Sequence, residues 1–254
     1  MNRMEEESME MVGLVSGGKD SMYNMMCAVK EGWKIVALAN LHPVEEGEMD
    51  SFMYQTVGSE GIEMIAESMD LPLYRQSISG RSLIQSMEYE KTEGDEVEDL
   101  FNLLTRVKDA HPNVRGVSVG AILSSYQKLR VENVCSRLGL IPMAYLWERD
   151  QEELLHEMIE NGVNAILIKV AALGLNEKHL GKTLGQMEKI LLKLRDKFGV
   201  HPCGEGGEYE TFVLDSPLMK RKICLLESEI IMHQPDQVAP VAYLRFPQLK
   251  LDDK

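Results

Sequence analysis

Met11-Val12-Gly13-Leu14-Val15, followed at once by Ser16-Gly17-Gly18-Lys19-Asp20-Ser21, decides how this chain is read. The first five residues form an apolar run of strand length. Beyond the second stretch, Met22, Met25, Met26 and Val29 recur at helical spacing. Two glycines, two hydroxyls, a lysine and an aspartate therefore sit between a strand and a helix. Backbone amides and a helix N-terminus converge on an anion at such a junction. Glycine lets a phosphate approach the main chain closely, and successive N–H groups can form a nest around it.

The loop comes close to a Walker A motif without being one. Gly13 and Gly18-Lys19 have the spacing, but Asp20 stands where Ser or Thr would hold magnesium. Gly13 also falls inside the strand, leaving too short a loop to wrap a triphosphate. The pattern S-G-G-x-D-S instead resembles the pyrophosphate loop of ATP pyrophosphatases, which cleave ATP between the α and β phosphates and pass AMP to an acceptor. A plain glycine turn, with Asp20 or Ser21 capping the helix, needs neither two glycines nor a lysine. A loop tip contributes little to a core, so Lys19 and Asp20 are expected to matter to catalysis more than to stability.

Working outward, strands are predicted at Met11–Val15, Lys34–Leu41, Pro72–Ile78, Val114–Val119 and Ile141–Leu146. Helical faces fall between them: Ile62, Ile65, Ala66 and Met69; Val97, Leu100, Leu104 and Val107; Leu129, Val134 and Leu138, stopped by Gly139. Apolar strands alternating with helices predict an α/β fold, a Rossmann-like parallel sheet of about five strands with helices on both faces. Ligands in such sheets bind beyond the C-terminal strand ends, where the Ser16 loop lies. The rhythm changes after Trp147. A helix at Asp150–Asn161, a strand at Ala165–Val170, a helix at Leu184–Phe198 and strands at Tyr209–Leu214 and Lys222–Met232 predict a smaller C-terminal α+β domain. The expected organisation is a disordered acidic tail over 1–10, a nucleotide-binding domain over 11–146 and a substrate-binding domain over 147–254.

Bulk composition narrows the class. In 254 residues, 44% are hydrophobic, enough for a sizeable core. No apolar run approaches a membrane span, and the acidic start lacks a signal peptide's apolar core. A cytoplasmic protein without membrane partners is the expectation. The net charge of −14 disfavours a nucleic-acid substrate, because phosphates call for Lys and Arg. Cys27, Cys135, Cys203 and Cys224 form no C-x-x-C pair, so reduced thiols are expected. Seventeen methionines read as adaptable packing.

Cys203-Gly204-Glu205-Gly206-Gly207-Glu208-Tyr209-Glu210-Thr211 is the second signal. Clustered carboxylates repel unless water or a cation separates them. Glu205 and Glu208 could bind a cationic substrate, ammonium or magnesium, or form an exposed turn. Gly120 follows the fourth predicted strand, and Ser124 with Gln127 makes a capping-box pattern that accounts at least in part for both. Arg130, one turn on, could reach phosphate or pair with an acid. Ala39, Asn40 and Leu41 end the second strand, where adenine is expected to sit against backbone. Gly80-Arg81-Ser82 is either an anion loop or an ordinary turn. There is no G-x-S-x-G elbow, no H-E-x-x-H pair and no N-terminal cysteine nucleophile to release ammonia from glutamine.

Read together, S-G-G-K-D-S at 16–21, A-L-A-N-L at 37–41, M-Y-Q-T-V-G at 53–58 and G-D-E-V-E-D-L at 94–100 resemble the diphthine–ammonia ligase family. So do S-V-G-A-I-L-S at 118–124, K-V-A-A-L-G-L at 169–175, G-E-G-G-E-Y-E-T-F at 204–212 and A-P-V-A-Y-L-R-F at 239–246. The resemblance spans nearly the whole chain and is strongest to eukaryotic members. It implies an adenine nucleotide alpha hydrolase-like fold and the last step of diphthamide synthesis on translation elongation factor 2. ATP, with Mg2+, activates the diphthine carboxylate as an acyl-adenylate and releases pyrophosphate; ammonia then displaces AMP. On that reading Ser16, Gly17, Gly18 and Ser21 cradle the β and γ phosphates, and Lys19 stabilises charge between α and β. Asp20 caps the helix or organises magnesium. Diphthine carries a quaternary ammonium, which favours carboxylates and aromatic faces, so Glu205, Glu208 and Tyr209 are candidates for it or for ammonium. Two rival functions are a tRNA-modifying ATP pyrophosphatase and a non-enzymatic nucleotide-binding regulator.

Overall fold

The computed structural model describes residues 9–43, 57–236 and 238–254. The expected disorder of the acidic tail lies outside these residues, apart from its last two, as do the first four residues of the 53–58 motif. Two sheets form the molecule. In chain order the first half contains β1 (Glu10–Leu14), α1 (Lys19–Lys30), β2 (Lys34–His42), α2 (Ile62–Met69) and β3 (Leu73–Ser77). It continues with α3 (Glu96–Ala110), β4 (Val114–Ser118), α4 (Ser125–Leu138) and β5 (Ile141–Met143). The five strands are parallel in the order β3-β2-β1-β4-β5. This is the expected Rossmann-like sheet. Strand order reverses between β1 and β4, which opens a crevice beyond their C-terminal ends.

Glu10, placed in the tail from sequence, opens β1 and pairs with Lys34. β5 is shorter than expected. Pro142 is tolerated because β5 is an edge strand, and the chain turns after Met143. Sequence caps account for the helix ends: Asp95 accepts from the Val97 N–H and Ser124 from the Gln127 N–H, while Gly139 closes α4 at φ 64°.

The second half contains α5 (Gln151–Glu160), β6 (Asn164–Val170), α6 (Leu184–Phe198), β7 (Tyr209–Asp215), β8 (Arg221–Gln234) and β9 (Val241–Asp253). Its sheet is antiparallel, ordered β7-β6-β9-β8. β9 has no counterpart in the sequence reading. Phe246-Pro247 interrupts its alternation, and the register slips there: Glu227 faces Gln248 while Glu229 faces Arg245. One apolar cluster runs through both halves. It joins Val15, Met22 and Ile62 to Leu167, Phe212 and Phe246. Phe212 on β7 presses onto the phosphate loop. A Cβ on Gly17 would lie 3.2 Å from its ring, and one on Gly61 would lie 2.3 Å away. The halves therefore pack tightly at the loop itself. None of the described helices is long and apolar enough to cross a membrane.

Candidate active site

The C-terminal ends of β1, β2 and β4 open onto a cleft of about 750 Å³, closed from the other side by the Cys203–Thr211 segment. Gly17 takes φ 90°, a backbone that favours glycine, and its carbonyl accepts from the Val213 N–H at 2.9 Å. Gly18 is the N-cap of α1. Its N–H donates to the Ser16 hydroxyl at 3.3 Å, and the Ser21 hydroxyl donates back to the Gly18 carbonyl at 3.0 Å. The Lys19 N–H donates to the Thr211 hydroxyl at 3.0 Å. Ser16, Lys19, Asp20 and Ser21 line the cleft; Gly17 and Gly18 lie behind them. Gly120 must be glycine for a packing reason. A Cβ there would lie 2.6 Å from the Ser21 nitrogen and 2.7 Å from the Asp20 carbonyl carbon. The β4 loop thus fixes the N-terminus of α1 from the opposite side.

Lys19 is 2% exposed, so the expectation of a loop tip detached from the core is corrected. Its ammonium donates to the Cys203 carbonyl at 2.6 Å and to Asp20 at 2.9 Å, and lies 5.2 Å from the Tyr209 ring centroid. Burial pushes the Lys19 ammonium down. The adjacent Asp20, with Cys203 and Glu205, outweighs this and holds it above its ordinary value, so the cation is retained. Burial raises the Asp20 carboxyl, against the pull of Lys19. Asp20 Oδ1 is buried with no hydrogen-bond partner among the described residues.

The three glutamates of the second signal separate. Glu205 lines the cleft, and burial and Asp20 raise its carboxyl, while Lys19 and the Leu123 and Ile122 amides oppose the rise. Glu208 does not line it; its carboxylate accepts from the His201 N–H at 2.6 Å, a turn-closing role. Glu210 lines it instead, 3.2 Å from the ammonium of Lys169 on β6. Sequence reasoning passed over both. Glu210 lies at the start of β7, where Tyr209 and Thr211 also border the cleft, and a lone lysine in the run Ala165–Val170 gives no signal. Tyr209 is buried, its hydroxyl on the Pro202 carbonyl, and its pKa is pushed well up by burial. Burial and nearby Lys19 lower His201 to about 4.

The remaining candidates divide in the same way. Ala39, Asn40, Leu41, Gly120, Ser124 and Gln127 line the cleft. The Asn40 side chain is spent on the fold, donating to the Val15 carbonyl at 2.9 Å and accepting from Arg75 at 3.1 Å. Arg81 is exposed and off the cleft; its backbone bridges to Asp95 in the turn that sequence allowed as an alternative. Arg130 does not line the cleft and pairs with no carboxylate among the described residues. It is fully buried behind the cleft wall, with its guanidinium on backbone carbonyls and on the Tyr126 ring. Among the described residues no group of three potential metal-ligating side chains exists.

A phosphate-type loop at the switch point of a parallel sheet, carrying a buried lysine and faced by carboxylates across one cleft, defines an α/β nucleotide-binding enzyme. The diphthamide synthase N-terminal domain model matches residues 9–142, and the diphthamide synthase C-terminal domain model matches 150–241. The diphthine–ammonia ligase of Homo sapiens is 60% identical over 251 residues, covering 97% of this chain and 94% of that protein. That of Danio rerio is 58% identical over 250 residues, covering 97% and 98%. The Schizosaccharomyces pombe ligase is 56% identical over 232 residues, 91% of this chain but 38% of that longer protein. The chain belongs to the diphthine–ammonia ligase family.

Proposed function

We propose that this cleft carries out the ATP-dependent amidation of diphthine to diphthamide on translation elongation factor 2, with free ammonium as nitrogen donor. One observation supports it above the rest. Lys19 physically joins the two halves of the site, its ammonium held between Asp20 of the phosphate loop and the Cys203 carbonyl of the glutamate segment. A nucleotide held by the first half is thereby adjacent to an acceptor held by the second.

In the first step a diphthine carboxylate oxygen attacks the α phosphorus. The bond from that phosphorus to the bridging oxygen breaks, and pyrophosphate leaves. Lys19 offsets charge growing on that bridge. Ser16 and Ser21 hydroxyls, which now bond each other and Gly18, can rotate to donate to phosphate oxygens. In the second step ammonia attacks the acyl carbon and AMP leaves. Glu205 stands where it can take the proton that ammonium must lose, its affinity for protons already raised by burial. Magnesium would be held through Asp20, which lines the cleft and has a buried oxygen with no hydrogen-bond partner among the described residues, because magnesium is commonly held by one or two carboxylates plus substrate phosphates. When bound it screens phosphate charge.

Pyrophosphate release on adding elongation factor 2 bearing diphthine, ATP and ammonium tests the acceptor. Release should require ATP and the elongation factor, up to one equivalent per enzyme, and sustained release should also require ammonium. Equal release with tRNA in place of the elongation factor would favour the tRNA-modifying reading, and no release under any condition would favour a regulator.

A further inference from the structure

The cleft has an apolar end beside the phosphate loop. Ala39, Leu41, Leu100 and Leu103 line it and belong to one apolar cluster, onto which Ile84 and Tyr126 also pack. Gln85, beside Ile84, lines the cleft and brings a primary amide to this end. Its side chain has no hydrogen-bond partner among the described residues.

The backbone on either side of Gln85 is held unusually firmly. Arg130 donates to the Ile84 carbonyl at 2.6 Å and to the Ser86 carbonyl at 3.1 Å, and its guanidinium lies 3.2 Å from the Tyr126 ring centroid. Asp95 accepts from the Leu83 and Ile84 N–H groups, both at 3.0 Å. Arg130 is 0% and Asp95 1% exposed. Asp95 also caps α3, but burying Arg130 to hold the backbone on both sides of one irregular residue is a costly arrangement for a plain surface loop. It is what a recognition residue needs, because a preset backbone spares ordering entropy on binding.

We propose that Gln85 reads the nucleobase, its carbonyl accepting from the N6 amino group of adenine and its amide donating to N7, and that Arg130 is a positioning residue for it. The pairing is a general one for glutamine and adenine. A base with a keto oxygen at C6 sets an acceptor against the Gln85 carbonyl and forfeits one of the two bonds. The inference rests on the reading that the cleft binds ATP.

Calorimetry on the full chain with ATP, ITP and 7-deaza-ATP separates the two. The wild type should prefer ATP to ITP by about tenfold or more, and ATP to 7-deaza-ATP by a smaller factor. Gln85→Leu should weaken ATP by about tenfold, weaken ITP only by the smaller factor that the N7 bond supplies, and erase the 7-deaza effect. Arg130→Lys, confirmed folded by circular dichroism, should lower the ATP-to-ITP ratio although Gln85 is present; an unchanged ratio would overturn the positioning role. If Gln85→Leu keeps the wild-type ratio, or the wild type shows no preference, base reading by Gln85 is overturned while ATP binding stands. If the wild type binds none of the three, the nucleotide reading falls and this inference with it.

Discussion

At the residue scale the site is governed by burial of charge. Lys19 keeps its proton inside the protein because two acceptors surround it. Lys19→Ala would leave the Cys203 carbonyl and the Asp20 carboxylate without their cation. It should lower stability by about 1–3 kcal/mol as well as abolish turnover, read by urea unfolding and by amidation. The glutamates should part company. Glu205→Gln should bind ATP near-normally in calorimetry yet amidate about a hundredfold more slowly, since a partly desolvated charge contact is lost. Glu208→Gln should stay within a few-fold of wild type, because its carboxylate serves the His201 backbone. Equal losses in both variants would return the segment to a shared binding role. His201 supplies a pH dependence. Its folded value, lowered from 6.5 to about 4, means that the unfolded chain takes up the proton first as pH falls. Its contribution is neutral above pH 6.5 and increasingly unfavourable from there to pH 4. Urea midpoints for wild type and His201→Phe should therefore converge or cross over that window, the variant falling less steeply.

At the element scale, strand–loop–helix contacts decide how the phosphate loop is held. Gly120→Ala places a methyl group inside the first turn of α1. It should cost about 1–3 kcal/mol in stability by overpacking and weaken ATP binding, because the loop must move. Undiminished affinity would show that the loop is set by Thr211 and Phe212 alone. The same scale separates what could be read in the chain from what could not. The phosphate loop, the parallel strands and helices α1 to α6 were legible because periodicity, caps or glycine stops mark them. β9 was not, since Pro247 breaks its pattern and pairing with β8 restores it. Arg130 looked like a surface cation because its partners are carbonyls 44 and 46 residues away, which no local pattern reveals. Lys169 was hidden for a similar reason: it lies in the otherwise apolar run Ala165–Val170, and its partner Glu210 comes from another strand. The phosphate-loop members of the site and Glu205 across the cleft were visible locally; the Lys169–Glu210 pair depended on tertiary pairing.

At the scale of the whole molecule, a parallel sheet offers the phosphate loop and an antiparallel sheet closes over it, with Phe212 and Thr211 of β7 touching the loop directly. That arrangement suits two half-reactions sharing one intermediate, because the acyl-adenylate need not leave the cleft between them. The measurement that bears most directly on this is the identity of the nucleotide product. The chain is incubated with ATP, ammonium and elongation factor 2 bearing diphthine, and nucleotides are separated by chromatography against amide formed by mass spectrometry. AMP and pyrophosphate equal to the amide are expected. ADP and phosphate in that stoichiometry would contradict adenylation at the Ser16–Ser21 loop.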